Sequence, residues 1–478
     1  MTMNAVIARC AEISPVTVMT RLALQFALSP SWLDKLFERE GGTQYQQNLF
    51  FSTVVELMSV VAVGARPSLS AAAQAYPNLP VSLQALYDKI KHTELDLIRA
   101  LVTDSAARLS DVLAPIIEHK APIVPGYRVR IVDGSHLRAT ERRLKPLRGH
   151  VDAPLPGHSL IVFDPDLGMA IDIEPCDDAY TQERAVMSSL LDRATPGELW
   201  IADSTFSTRA ILGKWDQRGC AFIVREHGST PNPEPLGEAT YQERVDSGDV
   251  YEQAVKFEDK KTGYTARLRR VELHLTKPTG DGDKVLRILT NLPKQHFKAG
   301  AIANLYRRRW TIESMFQRLE ADLHSEVKTL AHPRAALLAF GIAVLAYNVL
   351  SVIKTAVWEA KDMEGGDIEL SSYYIAVDVR ANYAGMMMAV PVSGWRQYDA
   401  IGAPKLRRLL LEIAAHTNPK TLRKHPRGPK PAKKKTEASA AERRGHVSTA
   451  RALKDGFIHQ DLYRDSTGRP PYVISAGR

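Results

Sequence analysis

The chain has 478 residues, 44% hydrophobic and 24% charged, enough apolar mass to bury a core over two to four domains and too much for a disordered polymer. Its 29 glycines and 28 prolines are ordinary usage, and no internal repeat is visible, so collagen-like and solenoid architectures are excluded. Cys10, Cys176 and Cys220 lie far apart without a C-x-x-C pair, which excludes a disulfide framework and a Cys-rich zinc site and fits a reducing cytoplasm. The net charge is +9, and residues 420–444 alone hold ten lysines or arginines against two glutamates. The basic character is therefore mostly a tail, readable as a polyanion-binding segment or as a solvated solubility tail.

In chain order, the apolar stretch 16–28 is interrupted by Arg21 and lacks a small-residue cleavage site, so no signal peptide is expected there. Residues 17–118 show apolar positions at three- and four-residue spacing and predict an N-terminal helical domain. Within it, 68–76 and 82–92, the second opened by Ser82 as N-cap, read either as a helix-turn-helix or as two packed helices with no DNA role. Residues 122–126 read as a linker, after which the period changes. Strands are expected at 127–132, ending at Asp133-Gly134, then at 158–163 and 169–173 as an antiparallel meander. A helix at 179–194, a strand at 198–202 ending at Asp203, a helix at 208–218 and a strand at 220–224 follow. If the strands ending at Asp133 and Asp203 are neighbours, both carboxylates emerge at one sheet edge, close enough to share divalent metal.

Residues 226–293 turn strand-rich and polar, and a helical pattern runs from 299 to about 360. The segment 335–353 is long and apolar enough to cross a bilayer, but Tyr347, Asn348 and Ser351 and the missing aromatic belt favour a buried core helix. Tyr306, Arg309, Glu313 and Glu320 fall on one helical face, which alone could be a solvated stripe with an i,i+4 ion pair. Joined to a strand-end aspartate pair, Glu313 completes a hard-oxygen site for Mg²⁺ or Mn²⁺. Arg138, Arg142, Arg143, Lys145 and Arg148, opposed by Glu141 alone, form either a DNA-backbone surface beside Asp133 or a solvated loop. His136 reads as a local hydrogen-bonding partner or a metal ligand, and Asp177-Asp178 as a charge cluster at a helix N-terminus.

The segments Ile131-Val-Asp-Gly-Ser135, Leu199-Trp-Ile-Ala-Asp203, Leu305-Tyr-Arg-Arg-Arg-Trp-Thr-Ile-Glu313 and Leu345-Ala-Tyr-Asn348 resemble those of the DDE transposases of bacterial insertion sequences. The likeness is to insertion-sequence family four, marked by Tyr-x2-Arg-x3-Glu-x6-Lys. It spans about 129–351, with the acids 70 and 110 residues apart. The resemblance implies an α/β fold: a ribonuclease-H-like catalytic core in two parts, 127–225 and 297–360, split by a β-strand-rich insertion at 226–296. An N-terminal helical domain at 1–121 would bind element ends, and a C-terminal helical region with the basic tail would occupy 361–478.

The resemblance further implies that Asp133, Asp203 and Glu313 are catalytic and hold two Mg²⁺ or Mn²⁺ ions, and that Tyr306 and Arg309 contact DNA phosphate. Double-stranded DNA is the implied partner, as terminal inverted repeats and as target, bound by a homodimer associated with the bacterial nucleoid. Glu320 stands at the signature's lysine position, with Lys328 the nearest lysine, and Ser204-Thr205-Phe206 follows Asp203 where relatives often carry Arg. Relatives that form hairpins flip a base onto a tryptophan of the insertion, whereas no Trp lies between Trp215 and Trp310, leaving Phe297 as a candidate platform. A catalytically silent, transposase-derived repressor is the alternative that Glu320 favours. A glycosidase with paired carboxylates is a second, opposed by the arginine-rich loop and the tail.

Overall fold

The structure, a computed structural model, describes residues 5–137, 157–178, 181–279, 282–327, 330, 332–363 and 368–425. It opens with helices α1 (Ala5–Ile13), α2 (Pro15–Ala27), α3 (Pro30–Glu40), α4 (Phe51–Ala62), α5 (Leu69–Ala75), α6 (Leu83–Lys91) and α7 (Leu95–Ile117). The sequence starts α5 and α6 with serines whose hydroxyls satisfy free N–H groups of the first turn. Ser68 Oγ accepts from the Ala71 amide and Ser82 Oγ from the Ala85 amide, each at 3.2 Å.

Strands β1 (Arg128–His136), β2 (His158–Asp164) and β3 (Met169–Cys176) follow, then α8 (Glu183–Arg193), β4 (Glu198–Ala202), α9 (Arg209–Gln217) and β5 (Ala221–Arg225). Next come β6 (Glu234–Pro235), β7 (Thr240–Val245), β8 (Gly248–Asp259), β9 (Tyr264–Leu275) and β10 (Val285–Thr290). The described chain closes with α10 (Ala299–Tyr306), α11 (Trp310–Ala321), α12 (Pro333–Ala360), α13 (Ser372–Ala389), α14 (Val392–Trp395) and α15 (Ala403–Ala414).

The strands form a single sheet in the order β3-β2-β1-β4-β5-β10-β9-β8-β6, with β7 also paired to β8. β1, β4 and β5 run parallel, and β2 and β3 form the antiparallel meander with β1. β10 pairs antiparallel with β5, so the strand-rich segment after β5 continues the core sheet.

Alternation along each central strand sorts its residues onto two faces. Val129, Ile131, Ile161, Phe163, Leu199 and Ile201 join the core made with α7 and α12. Val132, Leu160, Val162, Trp200 and Ala202 join a second core with Met187 and Leu190 of α8 and Ile211 and Trp215 of α9. The sheet is thus covered on both faces, which is why every residue of β2 and β4 is buried.

The apolar segment that could have crossed a membrane is α12, the one such helix among the described residues, and its apolar window is wholly buried inside the protein. Each of its buried Leu, Ile and Val side chains contributes about 1.5–3 kcal/mol on removal from water. Its one fully buried amide side chain, Asn348, replaces a missing strand at the sheet's edge. Its Oδ1 accepts from the Ala170 N–H at 2.9 Å and its Nδ2 donates to the Ala170 carbonyl at 2.7 Å, satisfying the free side of β3.

Candidate active site

Asp133 lies inside β1, paired with Ile161 of β2, so the strand runs past the expected break at Asp133-Gly134 to His136. Glycine is tolerated here because β2 continues the pairing on one side. On the other side Val132 pairs with Ala202, the last residue of β4, and Asp203 is the next residue. Adjacent strands are about 4.8 Å apart, so the two aspartates leave the sheet side by side, where β4 ends and β1 becomes exposed. Asp203 then starts a 3₁₀ turn, Ser204–Phe206, that carries the chain away from the edge.

Glu313 arrives from the layer above, in the first turn of α11. The sequence predicted one unbroken helix from 299 carrying Tyr306, Arg309, Glu313 and Glu320 on a single face; the structure corrects this. α10 stops at Tyr306, a 3₁₀ turn spans Arg307–Arg309, and α11 begins at Trp310. The tighter turn shifts the angular phase, so Tyr306 is buried at 6% exposure while Glu320 is exposed at the far end of α11.

Arg309 occupies the middle of the site. Its Nη1 donates to Asp133 Oδ2 at 3.1 Å and its Nη2 to Glu313 Oε1 at 2.5 Å, a bridge in which the arginine side chain is 12% exposed. Its Nε is buried and has no hydrogen-bond partner. Burial works against its charge, but Tyr306, Asp133, Glu313 and Asp203 hold it protonated. The Tyr306 hydroxyl donates to Asp203 Oδ1 at 3.4 Å. Burial, reinforced by Asp203, pushes the Tyr306 phenol up, so it stays a neutral donor. Tyr306 and Arg309, expected at DNA phosphate, are thus both engaged with the acids in this DNA-free structure.

Asp133 is itself poorly solvated. Burial pushes its carboxyl up to about 6 against the pull of Arg309 and of the Gly134 N–H, which donates to Oδ1 at 3.0 Å, while Asp203 and Glu313 push it further up. Among the described residues no three His, Cys, Asp or Glu side chains are grouped closely enough to hold one ion, and the guanidinium of Arg309 fills the place between Asp133 and Glu313.

Sequence reasoning missed Glu183. It enters from the layer below, in the first turn of α8, and its carboxyl is pushed up to about 7 by burial and then by Asp133 and Asp203. An acid in a helix's first turn reads as a complement to the helix dipole, so only the fold reveals its second surroundings. His136 faces it, with Nδ1 3.7 Å from Glu183 Oε1, and stacks on His158 with ring centroids 5.2 Å apart. Asp177, read as part of a helix N-terminal cluster, instead pairs with Arg334 of α12 at 3.1 Å, because α8 starts only at Glu183. Phe297 packs edge-on against Tyr127, centroids 5.8 Å apart. Arg138, Arg142, Arg143, Lys145 and Arg148 lie outside the described residues, as do Lys328 and the tail from 426 onward.

The fold and the site define a mixed α/β protein whose large sheet gathers carboxylates at one edge, beneath a helix that adds another. Residues 124–349 match the family model described as the transposase DDE domain, a span running from just before β1 into α12 and containing Asp133, Asp203 and Glu313. The chain therefore carries a DDE transposase domain, which supports a transposase, an enzyme class that cuts and joins DNA. No curated protein matches the chain. Among solved structures it is similar to one described as the cryo-EM structure of a piggyBac transposase synaptic complex with hairpin DNA. The two share 12% identity over 88% of each chain with a TM-score of 0.37, too low to carry any conclusion about fold or function.

Proposed function

We propose that the chain is a DDE-type transposase of the insertion-sequence family four kind, performing metal-dependent DNA cleavage and strand transfer in cut-and-paste transposition. The strand order β3-β2-β1-β4-β5, with α8 and α9 on one face and α12 on the other, supports a ribonuclease-H-like core. The observation that carries the reading is that Asp133 and Asp203 leave adjacent parallel strands together, with Glu313 joined to Asp133 through Arg309, inside the matched domain.

The donor set suits Mg²⁺ or Mn²⁺: carboxylate oxygens are the ligands hard cations take. A cation would also relieve the unfavourable burial that holds the Asp133 carboxyl at about 6. Asp133, Asp203 and Glu313 would hold two ions, which when bound supply activation of the attacking oxygen and stabilisation of the leaving oxygen in an in-line displacement. In cleavage a water oxygen bonds to phosphorus as the P–O3′ bond breaks, leaving a 3′-hydroxyl; in transfer that hydroxyl attacks a target phosphorus.

The protein's own groups prepare this. Arg309 neutralises the acids until DNA arrives, then turns its fork to a phosphate oxygen, its unpartnered Nε being a ready donor. Tyr306 orients Asp203 through its hydroxyl. The partners are the element's terminal inverted repeats and target DNA, bound by a homodimer at the bacterial nucleoid. The arginine-rich loop 138–148 and the basic tail extend the phosphate contacts.

The test is incubation of the full chain with duplex DNA carrying the sequences that flank its coding region. Nicking at the element ends in Mg²⁺ and none in chelator is the expected result. The exposed Glu320 at the signature's lysine position favours one other reading, a silent repressor. Tight, sequence-specific binding without nicking in Mg²⁺ or Mn²⁺ would establish that reading instead.

A further inference from the structure

We propose that Glu183 is a fourth carboxylate of the acidic centre and that it enables the centre to hold a second divalent cation. This assignment rests on the metal-dependent reading above and concerns a residue outside the three acids of that reading.

The sheet edge is flanked by two layers: Glu313 descends from α11 on one side, and Glu183 rises from α8 on the other, with Asp133 and Asp203 between them. Gly134, next to Asp133, belongs by strand alternation to the face that α8 covers. A Cβ built on it would fall 2.0 Å from Glu183 Oε1 and 2.4 Å from its Cδ. The Glu183 carboxyl therefore lies directly over the β1 backbone, in a cradle open only because residue 134 has no side chain.

An acid placed there for stability would have a cation. Among the described residues, the one cationic group within ion-pair distance of Glu183 is the His136 imidazole at 3.7 Å, charged only when protonated. Its other charged neighbours, Asp133 and Asp203, repel it, and with burial they hold its carboxyl at about 7. Gathering like charges in a half-dry pocket costs folding free energy unless a bound cation compensates. The charge balance states how much cation is needed. Three ionised carboxylates against Arg309 leave two negative charges, one divalent ion's worth. With Glu183 ionised the deficit is three, and once Arg309 turns to phosphate it is four, which two divalent ions cancel.

The test is Mn²⁺ titration of the metal-free full chain, followed by calorimetry and by the loss of the free-ion electron paramagnetic resonance signal, with thermal unfolding of each variant in chelator. Wild type is expected to bind two ions. Glu183→Gln is expected to bind one at near wild-type affinity and the other at least tenfold more weakly, with an unfolding temperature in chelator equal to or above wild type, since a repulsion has been removed. Gly134→Ala, which pushes the Glu183 carboxyl aside without changing charge, is expected to weaken the same ion. Two ions bound by Glu183→Gln at wild-type affinity would overturn the assignment. So would a lowered unfolding temperature in chelator, the mark of a structural role. A wild type that binds no Mn²⁺ and cuts no DNA would instead overturn the metal-dependent reading itself.

Discussion

Nη1 of Arg309 lies 3.1 Å from Oδ2 of Asp133, joining residues 176 apart in the chain and placing a guanidinium where a catalytic cation is needed. The arginine thus neutralises the centre in the absence of metal and DNA. In Arg309→Met, Asp133 loses its nearest cation and its carboxyl moves above the present value of about 6. Below that value the folded protein already carries Asp133 protonated, so the loss there is small. Above it the cost of an unpaired buried charge appears in full, on the order of 1–2 kcal/mol more at pH 8 than at pH 5. Urea unfolding in chelator at the two pH values measures it; equal losses at both would contradict the bridge.

Asp133 also makes the stability of the metal-free protein pH-dependent. Its carboxyl is raised by burial from the ordinary 3.8 to about 6. When a folded-state acid is raised, the penalty is absent below the unfolded value, grows between the two values and is constant above the folded one. Each pH unit between the two values costs about 1.4 kcal/mol, so relative to Asp133→Asn, wild type should lose on the order of 3 kcal/mol between pH 4 and pH 8. The difference in urea midpoints between the two proteins reads this directly. A difference that is flat with pH, or that shrinks as pH rises, would show that the Asp133 carboxyl is not raised.

Asn348 supplies both hydrogen bonds that β3 lacks at Ala170. Asn348→Leu keeps the volume and leaves a buried N–H and a buried carbonyl without partners, each costing about 1–3 kcal/mol. The expected loss is on the order of 2–5 kcal/mol in urea unfolding, with α12 and the sheet edge separating first. A loss under about 0.5 kcal/mol, the range of ordinary surface substitutions, would mean the edge is satisfied some other way.

Glu320 is exposed on α11, where the family signature has lysine. Glu320→Lys should tighten DNA binding and steepen the fall of log affinity with log salt by about one to two units, since each phosphate contact adds about 0.9. Binding measured from about 50 to 200 mM salt gives the slope. An unchanged slope would place this position away from the phosphate backbone.

Much of the centre is legible in the sequence, and the parts that are not share a cause. β2, β4 and the turn ending at Gly168 follow from alternation and from glycine at a positive φ of 67°. The Asp133–Asp203 pairing follows from two similar apolar strands that each meet an acid. The break at Arg307–Arg309 is invisible because apolar periodicity does not distinguish a 3₁₀ turn from an α turn over three residues. Glu183 is invisible because nothing local separates an acid that complements a helix dipole from one laid over a neighbouring strand. Gly134 signals the latter only once its missing Cβ is seen against Oε1.

The central claim is that Asp133, Asp203 and Glu313 act as one unit on a phosphodiester. It is tested most directly by the Mg²⁺-dependent nicking rate of the flanking DNA for the three single alanine variants and the Asp133→Ala/Glu313→Ala double variant, with DNA affinity measured in parallel. Residues that work as a unit are non-additive, so each single variant should lose about a thousandfold or more in rate and the double no more than the worse single, all with DNA binding retained. Nicking within about tenfold of wild type in any single variant, or losses that multiply in the double, would contradict it.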